Sequence, residues 1–128
     1  MITQGLLETV VVAYIEAALW SSTDENGEPL DGLYEPYDFA DEANQSIHET
    51  VSDWLDLLEA EGIDWREFWS AEQLGHDFWL TRNRHGAGYW DRYSNGLGET
   101  IGRKLTELAH AYGESDVYVG DDGSLYVS

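Results

Sequence analysis

Sixty-five residues of this chain pass before the first Lys or Arg, and that stretch holds sixteen Asp and Glu. Carboxylates at such density repel one another in a compact state, so the fold must be held by apolar stripes that outweigh a self-repulsive surface. All six basic residues, Arg66, Arg82, Arg84, Arg92, Arg103 and Lys104, lie in the second half. The two halves carry formal charges of about −16 and −4, within a total of −20. Asymmetry of this kind marks a segment used for partners. Halophilic adaptation produces the same imbalance with no binding function.

The apolar material suffices for one core. With 128 residues, 42% of them hydrophobic, six Trp and eight Tyr, one acidic domain spanning residues 1–128 is expected. The absence of cysteine excludes disulfides, a thiolate nucleophile and a Cys-based zinc site, so a reducing, cytoplasmic compartment is sufficient. MITQGLLETVVVAYIEAALW lacks a basic n-region and a small-residue cleavage signal and is broken by Glu8 and Glu16, so it reads as neither signal peptide nor membrane span. A surface this acidic turns away from nucleic acid and from anionic membranes.

Leu6, Leu7, Val10, Val11, Tyr14, Ile15 and Ala18 recur at helical spacing and predict a helix to about Trp20. SSTDENGEPLDGLYEPYD, with turn formers, both prolines and six acids, reads as an exposed loop. A second helix is predicted from about Asp38 to Glu61, with Ile47, Val51, Trp54 and Leu58 on one face and Gly62 as its stop. IDWREFWSAEQLGHD reads as a short helical turn capped by Ser70. In DFWLTRNRHGAGYWDR, Phe78 and Leu80 alternate with Trp79 and Thr81 before the Gly86-Ala87-Gly88 turn and a second strand at Tyr89 and Trp90, predicting a β-hairpin. A third helix follows over about Leu97–Tyr112, then a second hairpin, DVYVGDDGSLYV, turning at Asp122-Gly123. The order α-α-β-β-α-β-β predicts an α+β fold, three helices on one face of a small antiparallel sheet made of two hairpins.

Chemistry-capable residues concentrate in one segment, with His76, Asp77, Arg82, Asn83, Arg84, His85, Asp91 and Arg92 inside seventeen positions. Imidazole titrates near neutrality and guanidinium grips carboxylate or phosphate bidentately, so a His, an Asp and an Arg around a glycine turn fit a base, its orienter and an anion clamp. A hairpin whose Arg and Asp residues pair across the strands has the same composition. No metal spacing occurs. DENGEPLDGLYE places Asp24, Asn26, Glu28 and Glu35 at calcium-loop positions, but Pro29 stands where the sharp turn needs Gly. The glycines make neither a dinucleotide nor a Walker loop, no nucleophile elbow is present, and no cofactor is implied.

GHDFWLTRNRHGAGYWDR together with YGESDVYVGDDGSLYVS resembles a family of small uncharacterised proteins of bacteriophages and mobile elements, over about the C-terminal half. The resemblance implies a context in which small acidic proteins inhibit host defence, some by imitating DNA, and it carries over no catalytic or binding residue.

The charge itself points to a decoy whose carboxylates occupy the basic groove of a nucleic-acid-binding host protein, such as a restriction or CRISPR component. Glu49, Asp53, Asp56 and Glu59, about 5 Å apart along the second helix, are the candidate contact row, joined by Asp24, Glu25, Glu28, Asp31 and Glu35 of the loop. Like charges at that spacing destabilise a helix, so stability does not explain the row. Two alternatives stay open: an enzyme or small-ligand binder built on the His76–Arg92 cluster, and an acidic structural protein without a specialised surface. An exposed aromatic among Trp65, Trp69, Trp79 and Trp90 would serve as an anchor for a partner or a second copy.

Overall fold

Thr3 starts the first helix, its hydroxyl accepting the Leu6 amide at 3.1 Å. In the computed structural model, which describes residues 2–128, four helices follow: α1 (Gln4–Ser21), α2 (Asp41–Ala60), α3 (Ala71–Arg82) and α4 (Gly96–His110). Short 3₁₀ turns lie at Leu30–Gly32, Pro36–Asp38 and Tyr89–Asp91, and strands β1 (Val117–Val119) and β2 (Leu125–Val127) close the chain. The α+β class therefore holds. The arrangement differs: four helices precede one two-stranded antiparallel hairpin, in the order α-α-α-α-β-β.

The predicted hairpin over DFWLTRNRHGAGYWDR is replaced by α3 and the Tyr89–Asp91 turn. Ser70 does cap, accepting the Gln73 amide at 3.0 Å, but the helix it starts continues for twelve residues through the segment that alternation assigned to a strand. The reason is burial. Phe78, Trp79, Leu80 and Thr81 are all enclosed, because α3 lies chiefly against α1 and also meets α4 and the Tyr89 turn. A helix wetted on no side along this stretch loses the 3.6-residue rhythm of apolar positions, and its sequence becomes ambiguous between strand and helix.

At the α1–α3 crossing the backbones touch. A Cβ on Gly75 would stand 2.3 Å from the Val10 carbonyl oxygen, so glycine is required for this approach. Trp54 of α2 stacks on Phe78 at 4.3 Å between ring centroids and an interplanar angle of 7°, joining the second helix to the same core.

α2 is shorter than predicted at its start, since Pro36–Asp38 forms its own turn in which Asp38 Oδ2 accepts the Glu35 amide at 2.7 Å. Gly62, with φ +69°, follows its C-terminus as expected. The C-terminal hairpin is as predicted, pairing Val117 with Val127 and Val119 with Leu125, and Gly123 takes φ +83° in its turn. It is tied to the chain ahead of α2, where the Ala40 amide donates to the Leu125 carbonyl at 2.9 Å. No helix among the described residues is long and apolar enough to cross a membrane.

Candidate functional site

The dense polar segment is largely internal to the fold. Asp77 is fully buried, and its carboxylate accepts from Trp69 Nε1 at 3.1 Å, Gln73 Nε2 at 3.0 Å, and Arg92 Nε and Nη2 at 2.9 and 2.6 Å. The pairing of Asp and Arg anticipated across a hairpin thus exists, but between a helix and the end of a 3₁₀ turn. Arg82 donates to the Tyr14 hydroxyl at 3.1 Å and to the Gly113 and Tyr112 carbonyls at 2.9 and 3.2 Å. Those carbonyls belong to the turn that follows α4, and the Arg82 cation satisfies them there. Asn83 accepts the Ser115 amide at 2.7 Å and donates to the Trp79 carbonyl at 3.0 Å, fastening α3 to the approach to β1.

The glycine turn serves the same purpose. Gly88 has φ +150°, and a Cβ there would meet the Thr81 hydroxyl at 2.2 Å. That hydroxyl accepts the Tyr89 amide at 3.0 Å, while Asp91 Oδ1 accepts the Gly88 amide at 3.0 Å. The Tyr89 phenol then receives a hydrogen bond from Trp54 Nε1 at 3.2 Å and donates to the Leu74 carbonyl at 2.5 Å. Burial, and next the nearby Asp77 carboxylate, push the Tyr89 pKa well above its ordinary value. Burial likewise raises Tyr14 against the opposing pull of Arg82. The hydrogen bond to Asp77 raises Arg92 and holds it in its charged form.

What remains of the segment is dispersed. Arg84 and His85 are exposed beyond the end of α3, Arg84 in the left-handed region at φ 53°. Burial first, and then the Arg84 charge, lower the pKa of His110. His76 is half-buried on α3, with Nδ1 3.9 Å from Asp77 Oδ1 and the ring centroid 6.0 Å from that of Trp20. Neither His76 nor His85 is hydrogen-bonded to a hydroxyl among the described residues, the relation a base and nucleophile pair requires. Among the described residues no group of three or more His, Cys, Asp or Glu is placed to hold a metal ion.

The acidic residues lie on the outside. Glu49, Asp53, Asp56 and Glu59 are all exposed along α2, opposite the buried Ile47, Val51, Trp54 and Leu58. Asp53 is anchored by the Tyr112 hydroxyl at 2.6 Å, and burial followed by this bond to a carboxylate raises the Tyr112 pKa. Glu25, Glu28, Asp31 and Glu35 are exposed in the segment between α1 and α2. Asp24 is used differently: its Oδ1 accepts the Asn26 and Glu28 amides, each at 2.9 Å, so this carboxylate builds its own turn.

Of the tryptophans proposed as anchors, Trp65, Trp69 and Trp79 are core and Trp90 is half exposed. Four exposed aromatics lie outside that set, Tyr93 and Tyr118 and, most exposed, Trp20 at the end of α1, 60% exposed, and Tyr37, 77% exposed. Trp20 was recoverable, because it falls off the Val11–Tyr14–Ile15–Ala18 stripe by two positions. Taken together, fold and surface define an α+β protein whose polar motif is a structural keystone and whose α2 row of carboxylates faces solvent. No protein-family model matches the chain, and neither a curated protein nor a solved structure matches it.

Proposed function

We propose that the protein acts without catalysis, presenting its carboxylates in place of phosphates to the basic groove of a nucleic-acid-binding host protein of the restriction or CRISPR kind. The observation that carries this reading is the exposed row on α2. Glu59 lies ten residues beyond Glu49, about 15 Å of helix axis at 1.5 Å per residue, and the stretch carries the four carboxylates of the row. One charge per roughly 4 to 5 Å approaches the one phosphate per 3.4 Å of a single DNA strand, so lysines and arginines spaced for DNA meet acceptors at a similar interval.

Four of the six basic residues are engaged away from the row, while the Arg66 charge acts on Glu59. Arg92, Arg103 and Lys104 lie against Asp77, Glu99 and Glu61, and Arg82 is bonded to the turn that follows α4. The bonding of Asp77, Arg82 and Asn83 also weighs against the enzyme reading, since Asp77 accepts four hydrogen bonds within the fold and Arg82 and Asn83 are each held by bonds to it.

The test is capture from bacterial lysate on the intact protein, with elution by salt and by duplex DNA. A nucleic-acid-binding protein released by DNA, and no longer captured by the E49Q/D53N/D56N/E59Q variant, is the expected result. Capture indifferent to DNA, or undiminished in the variant, would overturn the proposal.

A further inference from the structure

Apart from the α2 row, the fold forms an open cleft of about 490 Å³ where the end of α1 meets the segment leading to α2. Its walls carry two kinds of group. Trp20, Tyr34 and His76 give ring surface, and Glu16, Asp31 and Glu35 give carboxylates, with no Lys or Arg in the lining. The indole of Trp20 is 60% exposed although its ring leans on that of His76 at an interplanar angle of 37°. Leu33 and Tyr37, 56% and 77% exposed, lie in the same connecting segment and add apolar surface there. A solvated acidic face has no use for a large aromatic held in water, whereas an aromatic beside carboxylates matches one chemistry closely: a planar cation that stacks on the ring and donates to the acids.

We infer that this cleft receives an arginine side chain from a basic segment of the partner protein. The inference rests on the proposed function in assuming a basic partner, and it adds the site that tells arginine from generic positive charge. Arginine fits better than lysine because its guanidinium stacks face-on against an indole and offers a fork of donors to two carboxylates, where an ammonium is a compact, strongly hydrated point charge. A protein segment fits better than a free amine because the opening is wide and apolar surface continues in the connecting segment. Exposed Trp and Tyr are also the residues that most often carry interface energy.

The experiment uses the full chain with an arginine-containing hexapeptide, a matched lysine hexapeptide and free arginine as probes. Binding is followed by the NMR shift of the Trp20 indole N–H at moderate salt. The arginine peptide is expected to shift this signal saturably and to bind about fivefold more tightly than the lysine peptide, as a cation–π contact of ordinary strength implies. Trp20→Ala, at an exposed position the core does not use, should remove that preference, and Trp20→Phe should retain part of it. In the E49Q/D53N/D56N/E59Q background the Trp20 signal should still saturate, so failure of the row and failure of the cleft are separable. Equal affinity for both peptides, an unchanged preference in Trp20→Ala, or free arginine binding as tightly as the peptide would each overturn the inference.

Discussion

Replacing Asp77 by Asn asks whether the polar motif is architecture or chemistry. The wild-type carboxylate is buried and accepts four hydrogen bonds, two on each oxygen, from Trp69, Gln73 and the Arg92 fork. Asparagine keeps the volume and one acceptor but turns an NH₂ towards two donors, so one pair of bonds becomes a repulsive contact whichever way the amide is placed. Breaking a buried ion pair by removing one partner costs about 3–5 kcal/mol, and a buried donor left unmatched about 1–3 kcal/mol. The Arg92 side chain is 36% exposed and regains some hydration, which favours the lower end. A loss of about 3 kcal/mol follows, or a fall in Tm on the order of 10 °C for a chain of this size. Urea unfolding followed by tryptophan fluorescence measures it, with an unchanged m-value showing that the native state is otherwise intact. A double-mutant cycle with Arg92→Leu should return a coupling of at least about 1 kcal/mol. A loss below about 1 kcal/mol, or a gain in stability of the kind found when a strained active-site charge is removed, would refute the keystone reading.

Gly75→Ala should destabilise by at least about 1–3 kcal/mol, because its Cβ would meet the Val10 carbonyl oxygen at 2.3 Å and α1 would have to move off α3. Gly5→Ala, with nothing within 4 Å of the new methyl, should instead stabilise α1 slightly, and equal effects at the two sites in thermal melts would contradict the crossing. Tyr14, Tyr89 and Tyr112 have pKa values raised above the ordinary 10.0, so the folded chain favours their neutral form. Their contribution is complete below pH 10.0 and is lost as the pH rises beyond it, because the unfolded chain releases those protons first; urea midpoints tracked with tyrosinate absorbance should fall there, and a flat profile would count against their burial. Added sodium chloride should raise the urea midpoint by screening a net charge of −20, and a midpoint that fell with salt would mean the carboxylates attract more than they repel.

The elements legible in the sequence were those with one wet side. α1, α2 and α4 each show an apolar stripe against exposed positions, and the C-terminal hairpin is announced by Asp122-Gly123 between short Val-containing strands. α3 was misread because Phe78, Trp79, Leu80 and Thr81 face protein on every side, so alternation of aromatic and aliphatic types there carried no information about solvent. The two strand-breaking glycines misled for a related reason. Gly86 and Gly88 do form a turn, but Gly88 is there so that the chain can press on the Thr81 side chain, a tertiary need invisible to local spacing. At the surface, the α2 row was readable from helical spacing alone. The cleft beside Trp20 was not, since it joins α1, the connecting segment and α3 through contacts between residues more than forty positions apart.

The acid content can be set against what the fold consumes. Asp77 holds Arg92, Asp53 holds Tyr112, and Asp24, Asp38, Asp91 and Asp122 close local turns through backbone amides. Glu61 and Glu99 lie against Lys104 and Arg103, and Glu8 and Glu49 accept from Gln4 and Gln45, so local bonding engages acids of both halves of the chain. Halophilic adaptation would explain a uniformly acidic exterior, because hydrated carboxylates are then needed wherever the protein meets water. Two features exceed that explanation: the excess falls on the first half of the chain, and exposed Trp20, Leu33 and Tyr37 occur within its most acidic connection or at its start. Solvation is served by acids alone, and apolar rings among them work against it. On the proposed function, carboxylates that guide a basic surface and rings that hold one cation once it arrives would divide the work of association into a steering step and a locking step. The first should weaken steeply with salt and the second should survive it, so residual binding at high salt that depends on Trp20 is what this division of labour requires.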